Sequence, residues 1–125
     1  MAYAYDQSNI FAKILRGEIP SKFLYESEHS VAFADINPQA PTHVLVIPRG
    51  PYINFDHFAA EASDAESADF TRAVAAVSRQ LGLTPDAGDG YRLLANSGPH
   101  AHQEVPHLHV HILAGRPLGP MLTKV

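Results

Sequence analysis

Apolar residues recur every three or four positions in two stretches of the chain and form short runs between turn residues elsewhere. In residues 8–18, SNIFAKILRGE, the residues Ile10, Phe11, Ile14 and Leu15 fall on one face of a short helix. Ser8 or Asn9 can cap its start, Gly17 lies near its end and Pro20 blocks continuation. Residues 22–26, KFLYE, and 30–35, SVAFAD, read as two strands joined by a turn at 27–29. The two prolines of 36–42, INPQAPT, mark a loop before 43–48, HVLVIP. Val44 to Ile47 are all apolar, as in a central strand buried on both faces or a strand under a helix. RGPY, 49–52, reads as a turn.

The second helical pattern is longer. Phe70, Val74, Val77 and Leu81 recur at spacings of four, three and four, which predicts a helix over 63–82 with one buried stripe. Ser63 and Glu66 form a possible capping box, and Gly82 suits a left-handed C-terminal cap. After a loop at 85–90, YRLLAN at 91–96 reads as a strand, 97–104 as a loop and 105–115, VPHLHVHILAG, as a closing strand. The order predicts an α+β fold with a mostly antiparallel sheet, one face of which the long helix covers.

In a strand, alternate side chains share a face. His107, His109 and His111 therefore line up on one side, while Leu108, Val110 and Ile112 point towards the 63–82 helix. At ~3.3 Å per residue the imidazoles form a row of about 13 Å. Five of the eight histidines lie within 100–111, which makes an incidental polar face a poor account of them. Two chemical uses remain. Two alternating histidines can hold a metal ion if a further ligand, with His43 the best placed, comes from elsewhere. Alternatively, a neutral imidazole attacks phosphorus while its neighbours donate hydrogen bonds to phosphate oxygens. The middle residue, His109, is the most shielded and the most easily oriented.

Composition narrows the partners. The 125 residues fit one domain, 1–125, large enough to hold a core without staples. A formal charge of -4 with scattered Lys and Arg argues against a nucleic-acid polymer. The absence of cysteine removes thiolate nucleophiles, disulfides and Cys-based zinc sites. MAYAYDQSNI lacks a leader pattern and no apolar run approaches a membrane span, so a cytoplasmic protein is expected.

HLHVHIL at 107–113 fits the histidine-triad pattern, His-φ-His-φ-His-φ-φ with φ apolar. NIFAKILRGEIPSKFLYE, ADINPQAPTHVLVIPR, LANSG and HQEVPHLHVHILAGR fall around it in the expected order. Over residues 8–116 the chain resembles the bacterial Hint branch of the histidine-triad family, leaving a short tail at 117–125. The resemblance implies a two-fold dimer of five-stranded sheets. It also implies hydrolysis or transfer of purine nucleotides (AMP- or GMP-like) at the α-phosphorus, with nucleoside phosphoramidates as substrates. No cofactor or metal is implied.

By the same resemblance, His109 is the nucleophile and His111 contacts the α-phosphate. The backbone carbonyl of His107 orients His109, and His43 supports the row from a neighbouring strand. Asp35 takes the ribose hydroxyls, and Phe11, Ile14 and Ile36 form the base pocket. Asn96 and the loop residues His102, Gln103 and Glu104 lie beside the phosphate. Three features depart from the family pattern. Glu104 stands where some members have serine, His102 where glycine is common, and RGPY where a histidine often follows the VIP strand. In the family the C-terminal tail can contribute to the partner's site; here it ends PMLTKV. Hydrolysis of dinucleoside polyphosphates, or nucleotide binding with incidental catalysis, are the alternative functions.

Overall fold

The computed structural model describes residues 3–123; the last two positions of the tail expected at 117–125 lie outside them. Five strands form one antiparallel sheet: β1 (Tyr25–Glu26), β2 (Ser30–Ala34), β3 (Thr42–Pro48), β4 (Arg92–Leu94) and β5 (Val110–Ala114). Their spatial order is β1-β2-β3-β5-β4. The expected central strand is β3, which lies between β2 and β5 and is buried from His43 to Pro48. The expected α+β class and mostly antiparallel sheet are both present.

Three α-helices accompany the sheet: α1 (Ile10–Leu15), α2 (Phe55–Glu61) and α3 (Asp64–Gln80). Asn9 rather than Ser8 caps α1, its side chain accepting from the Ala12 N–H at 2.9 Å. The capping box of α3 forms as expected, with Ser63 and Glu66 each satisfying the other's backbone N–H at 3.0 Å. Gly82 adopts the left-handed conformation, φ +73°, that ends the helix. Leu81 does not extend the buried stripe. It sits at the C-cap and is exposed, and Ala73 supplies the apolar surface between Phe70 and Val77.

Helix α2 shows no recurring apolar stripe, because Phe55 and Phe58 are the only large apolar residues among its seven. Asn54 nonetheless carries its start signal, accepting from the His57 N–H at 2.8 Å. Strands β1 and β4 are shorter than the runs 22–26 and 91–96, and a turn of 3₁₀ helix, Pro99–Ala101, interrupts the loop at 97–104.

The closing strand also begins later than expected, at Val110 rather than near residue 105. Pro106 has no N–H, and the His107 N–H turns back to the Val105 carbonyl at 2.9 Å. The Leu108 N–H leaves the ladder for the Tyr52 carbonyl at 2.7 Å. The segment before β5 is therefore held by the chain that follows β3.

The alternation of side chains survives this change. Leu108 and Ile112 join Val44, Val46, Phe70, Ala73 and Val77 in the core beneath α3, with Val110 packed at its edge. On the opposite face Phe11 of α1 packs with Val31, Phe33, Leu45 and Ile47. The histidines lie on this second side, between α1 and the sheet.

Candidate active site

Strands β3 and β5 bring the first pair of histidines together. Leu45 is directly opposite His111 and His43 is opposite Leu113, so His43 and His111 are diagonal neighbours on one face. Their ring centroids are 5.1 Å apart. His109 follows at 5.0 Å from His111, and the Phe11 ring meets His109 edge-on at 5.0 Å.

Hydrogen bonds assign the proton on each ring. The His109 Nδ1–H donates to the His107 carbonyl at 2.7 Å, which leaves the Nε2 lone pair free. A carbonyl cannot donate, so this tautomer follows from chemistry. His107 donates from Nε2 to the Pro48 carbonyl at 2.8 Å and accepts at Nδ1 from the Tyr5 hydroxyl at 2.5 Å.

A second relay begins in the backbone. The Gln39 N–H donates to His43 Nδ1 at 3.0 Å, placing the His43 proton on Nε2. That Nε2–H donates to His111 Nδ1 at 2.8 Å, with a carboxylate oxygen of Asp35 at 3.4 Å. His111 must then carry its proton on Nε2. Among the described residues this Nε2 is one of two buried side-chain polar atoms without a partner, the other being Thr84 Oγ1. The row thus presents one free lone pair, on His109, and one free N–H donor, on His111.

Burial keeps the three rings neutral. Desolvation pushes His107 down to about 4, against the stabilising Pro48 carbonyl. It pushes His111 down to about 4 as well, helped by the neighbouring His109 and His43. His109 is also lowered by burial, with Asp35 and Glu104 opposing the shift. At neutral pH His109 is therefore a neutral imidazole that keeps its proton on Nδ1.

The shift makes acid destabilising. Above pH ~6.5 His107 is neutral whether the chain is folded or unfolded. Between ~6.5 and about 4 the unfolded chain binds a proton that the folded one refuses, so stability falls as pH falls. At pH 5 this fully buried residue alone costs about 2 kcal/mol. Urea unfolding at pH 7.5 and 5.0 should show a loss of at least that size. An unchanged midpoint would mean that His107 takes up its proton in the folded state.

The nucleotide-pocket residues are less closely gathered. Phe11 is buried against His109, and Ile14 is half-buried behind it. Ile36, in contrast, is 86% exposed. Asp35 accepts from the Asn37 N–H at 2.8 Å through one oxygen and lies beside His43 with the other. Asn96 is half-buried, two residues beyond β4.

Gln103 braces its own loop. Its amide oxygen accepts from the Gly98 N–H at 3.2 Å, and its Nε2 donates to the carbonyls of Ile53 at 2.7 Å and Val105 at 3.1 Å. His102 and Glu104 form an exposed pair at 2.9 Å.

The backbone at position 102 takes a conformation that glycine adopts most readily. His102 is the sole non-glycine residue with positive φ, at 59°, among the described residues. A Cβ in this region costs roughly 1–2 kcal/mol, partly offset because a side chain restricts the unfolded chain. His102→Gly should therefore stabilise the protein by about 1 kcal/mol, read as a higher urea midpoint with unchanged slope. A lower midpoint would show that the His102 side chain contributes more than its strain removes.

Sequence reasoning missed Tyr5, Gln39 and the carbonyls of Pro48 and Tyr52. The backbone groups leave no signature in residue type. Tyr5 lies before the stretch, 8–116, that carries the family resemblance.

The HIT domain profile matches residues 16–118. An uncharacterized 13.2 kDa HIT-like protein of Azospirillum brasilense is 59% identical over 124 residues, covering 99% of each chain. The purine nucleoside phosphoramidase of Escherichia coli K12 is 47% identical over 116 residues, covering 93% of this chain and 94% of that protein. A HIT family hydrolase from Clostridium thermocellum superposes with a TM-score of 0.82 at 39% identity, covering 94% and 99% of the two chains. With the triad in place on the matching fold, the chain belongs to the HIT domain family.

Proposed function

We propose that this chain is a single-domain hydrolase of purine nucleoside phosphoramidates, AMP- or GMP-like nucleotides joined to an amine. One observation carries the reading: the His109 Nδ1–H is committed to the His107 carbonyl at 2.7 Å, which frees a neutral Nε2 lone pair for attack. The partnerless His111 Nε2–H beside it suits a phosphate oxygen. The 47% identity to a purine nucleoside phosphoramidase supports the substrate class.

In the proposed reaction His109 Nε2 forms a bond to the α-phosphorus while the phosphorus–amine bond breaks. The departing amine takes up a proton. That proton comes from solvent, and the water that attacks in the second step returns one; the exposed Glu104–His102 pair lies on the side where the amine departs. Water then attacks phosphorus, the bond to His109 breaks and AMP or GMP leaves with the ring restored. Charge on the phosphate oxygens is met by His111 and backbone donors, which matter most in a water-poor site. Asp35 would hold the ribose hydroxyls, Phe11, Ile14 and Ile36 the base, and Asn96 with residues 102–104 the phosphate side.

Asp35, His43 and His111 also form a cluster of metal-ligand type. The Gln39 N–H occupies the His43 Nδ1 lone pair, however, so Nε2 carries the proton and offers a neutral ring no lone pair for a metal. The hydrolysis we propose is accordingly metal-independent.

A homodimer fits the opposite face. A groove of about 460 Å³ lined by Phe55, Phe70, Val74, Tyr91, Leu93 and Val110 lies beside β4, an edge strand. An edge strand next to apolar surface suits pairing with a second copy. No helix among the described residues is long and apolar enough to cross a membrane.

The test is release of AMP from adenosine 5′-phosphoramidate, followed by chromatography with and without EDTA. Turnover that survives chelation is expected. Folded protein that binds AMP but releases none from this substrate would overturn the phosphoramidase reading, and EDTA-sensitive turnover would overturn metal independence.

A further inference from the structure

The family match begins at residue 16, yet the segment before it reaches the histidine row at His107. Tyr3 donates to Asp56 at 2.6 Å and stacks on His57 at 5.0 Å, tying the segment to α2. Ser8 N–H and the Ser8 hydroxyl both donate to Asp6, and the Asn9 amide donates to the Asp6 carbonyl before Asn9 caps α1. Between these two anchors Tyr5 is half-buried, with its hydroxyl 2.5 Å from His107 Nδ1 and its ring edge-on to the imidazole at 5.6 Å.

The direction of the Tyr5 bond is fixed by its surroundings. Pro48 presents only a carbonyl, so the His107 proton is on Nε2 and Nδ1 accepts. Tyr5 must donate. The His107–Leu108 peptide is held at the same time, its N–H by the Tyr52 carbonyl at 2.7 Å and its carbonyl by His109 Nδ1–H at 2.7 Å. The ring and the peptide of His107 are thus anchored by four hydrogen bonds, two to each.

We propose that Tyr5 is a positioning residue for the chemistry at His109: its hydroxyl locks the His107 ring in the Nε2–H tautomer and so fixes the carbonyl that orients the nucleophile. The proposal rests on the hydrolase reading above for its effect on turnover, but the tautomer it predicts does not depend on any substrate. The groups facing His107 are Tyr5 from the N-terminal segment, Phe11 from α1, the Pro48 carbonyl from β3 and His109 on its own segment. Asp6 and Arg16 are the charges that act on Tyr5. Among the described residues Tyr5 is therefore the one facing side chain that donates to the His107 ring, and without it water or a proton can take Nδ1.

Tyr5→Phe keeps the ring and removes only the hydroxyl. Steady-state hydrolysis of adenosine 5′-phosphoramidate should show kcat reduced roughly tenfold with KM little changed, since orientation rather than binding is lost. The acid limb of the kcat profile should move towards neutral pH. In ¹⁵N-detected spectra of the imidazoles, His107 should be a persistent Nε2–H tautomer in the wild type and should protonate at higher pH in Tyr5→Phe. Tyr3→Phe, which loosens the same segment without touching the triad, should leave both kcat and the His107 signals at wild-type values.

Unchanged His107 signals in folded Tyr5→Phe would overturn the proposal, as would an equal kcat loss in Tyr3→Phe, which would assign the effect to docking of the segment. If Tyr5→Phe does not fold, the wild-type spectrum decides, because an Nδ1–H tautomer at His107 contradicts the proposed bond. Absence of turnover in the wild type would sink the hydrolase reading alone and leave the spectra to judge Tyr5.

Discussion

His109→Ala should lose turnover of adenosine 5′-phosphoramidate by at least ~10⁴-fold while still binding AMP within about tenfold of the wild-type affinity. The two halves of this expectation come from different atoms. Among the described residues His109 Nε2 has no hydrogen-bond partner to lose, and the ring is held through Nδ1 by the His107 carbonyl. Removing the ring abolishes the nucleophile, and no second imidazole can replace it. His107 has both nitrogens engaged, and His111 presents an N–H rather than a lone pair.

The nucleotide contacts proposed for Asp35, Phe11 and His111 lie on other side chains, so binding should survive. His109→Gly adds a sharper readout. The space vacated next to Phe11 should admit free imidazole, which would restore part of the turnover in a concentration-dependent way. Residual activity within a hundredfold of wild type in His109→Ala would remove His109 from the nucleophile's role.

The sheet was legible because its signals are local. Continuous apolar residues in 44–47 predict a strand covered on both sides, and β3 is that strand. The capping box at Ser63 and Glu66 marks the start of α3 to the residue. The alternation in 107–112 places histidines and aliphatics on opposite faces even though hydrogen-bonded pairing starts only at Val110. That failure at 105–109 is instructive. Side-chain period reports an extended backbone, whereas Pro106 and the Tyr52 carbonyl decide what the backbone pairs with.

The site was legible in part. Residue type and order pointed to His43, His107, His109 and His111, and the fold brings these four together. Which ring nitrogen does what depends on the carbonyls of His107 and Pro48 and the N–H of Gln39, groups every residue possesses. No pattern of side chains encodes them. Ile36 illustrates the opposite limit. Its place beside Asp35 follows from the order of residues, but its 86% exposure depends on the loop path and shows no enclosure.

The proton relay through His43 yields the second large effect. His43→Phe should lower kcat by about 10²–10³-fold, the scale of losing one donor to a developing charge. Phenylalanine fills the buried space but cannot donate to His111 Nδ1, and it leaves the Gln39 N–H without its acceptor. The stability cost of that orphaned group should be about 1–3 kcal/mol. The kinetic cost has a separate origin. With Nδ1 no longer accepting, the His111 proton is free to move there, and Nε2 then turns a lone pair towards phosphate oxygens. Attraction becomes repulsion without any change in the His111 residue itself.

A double-mutant cycle distinguishes this relay from general damage to β3. His111→Phe should cost about as much as His43→Phe, and the double variant should cost little more than either, since both remove the same donor. Losses that multiply would show that His43 acts independently of His111. In that event the 2.8 Å contact between the two rings would be packing rather than proton control.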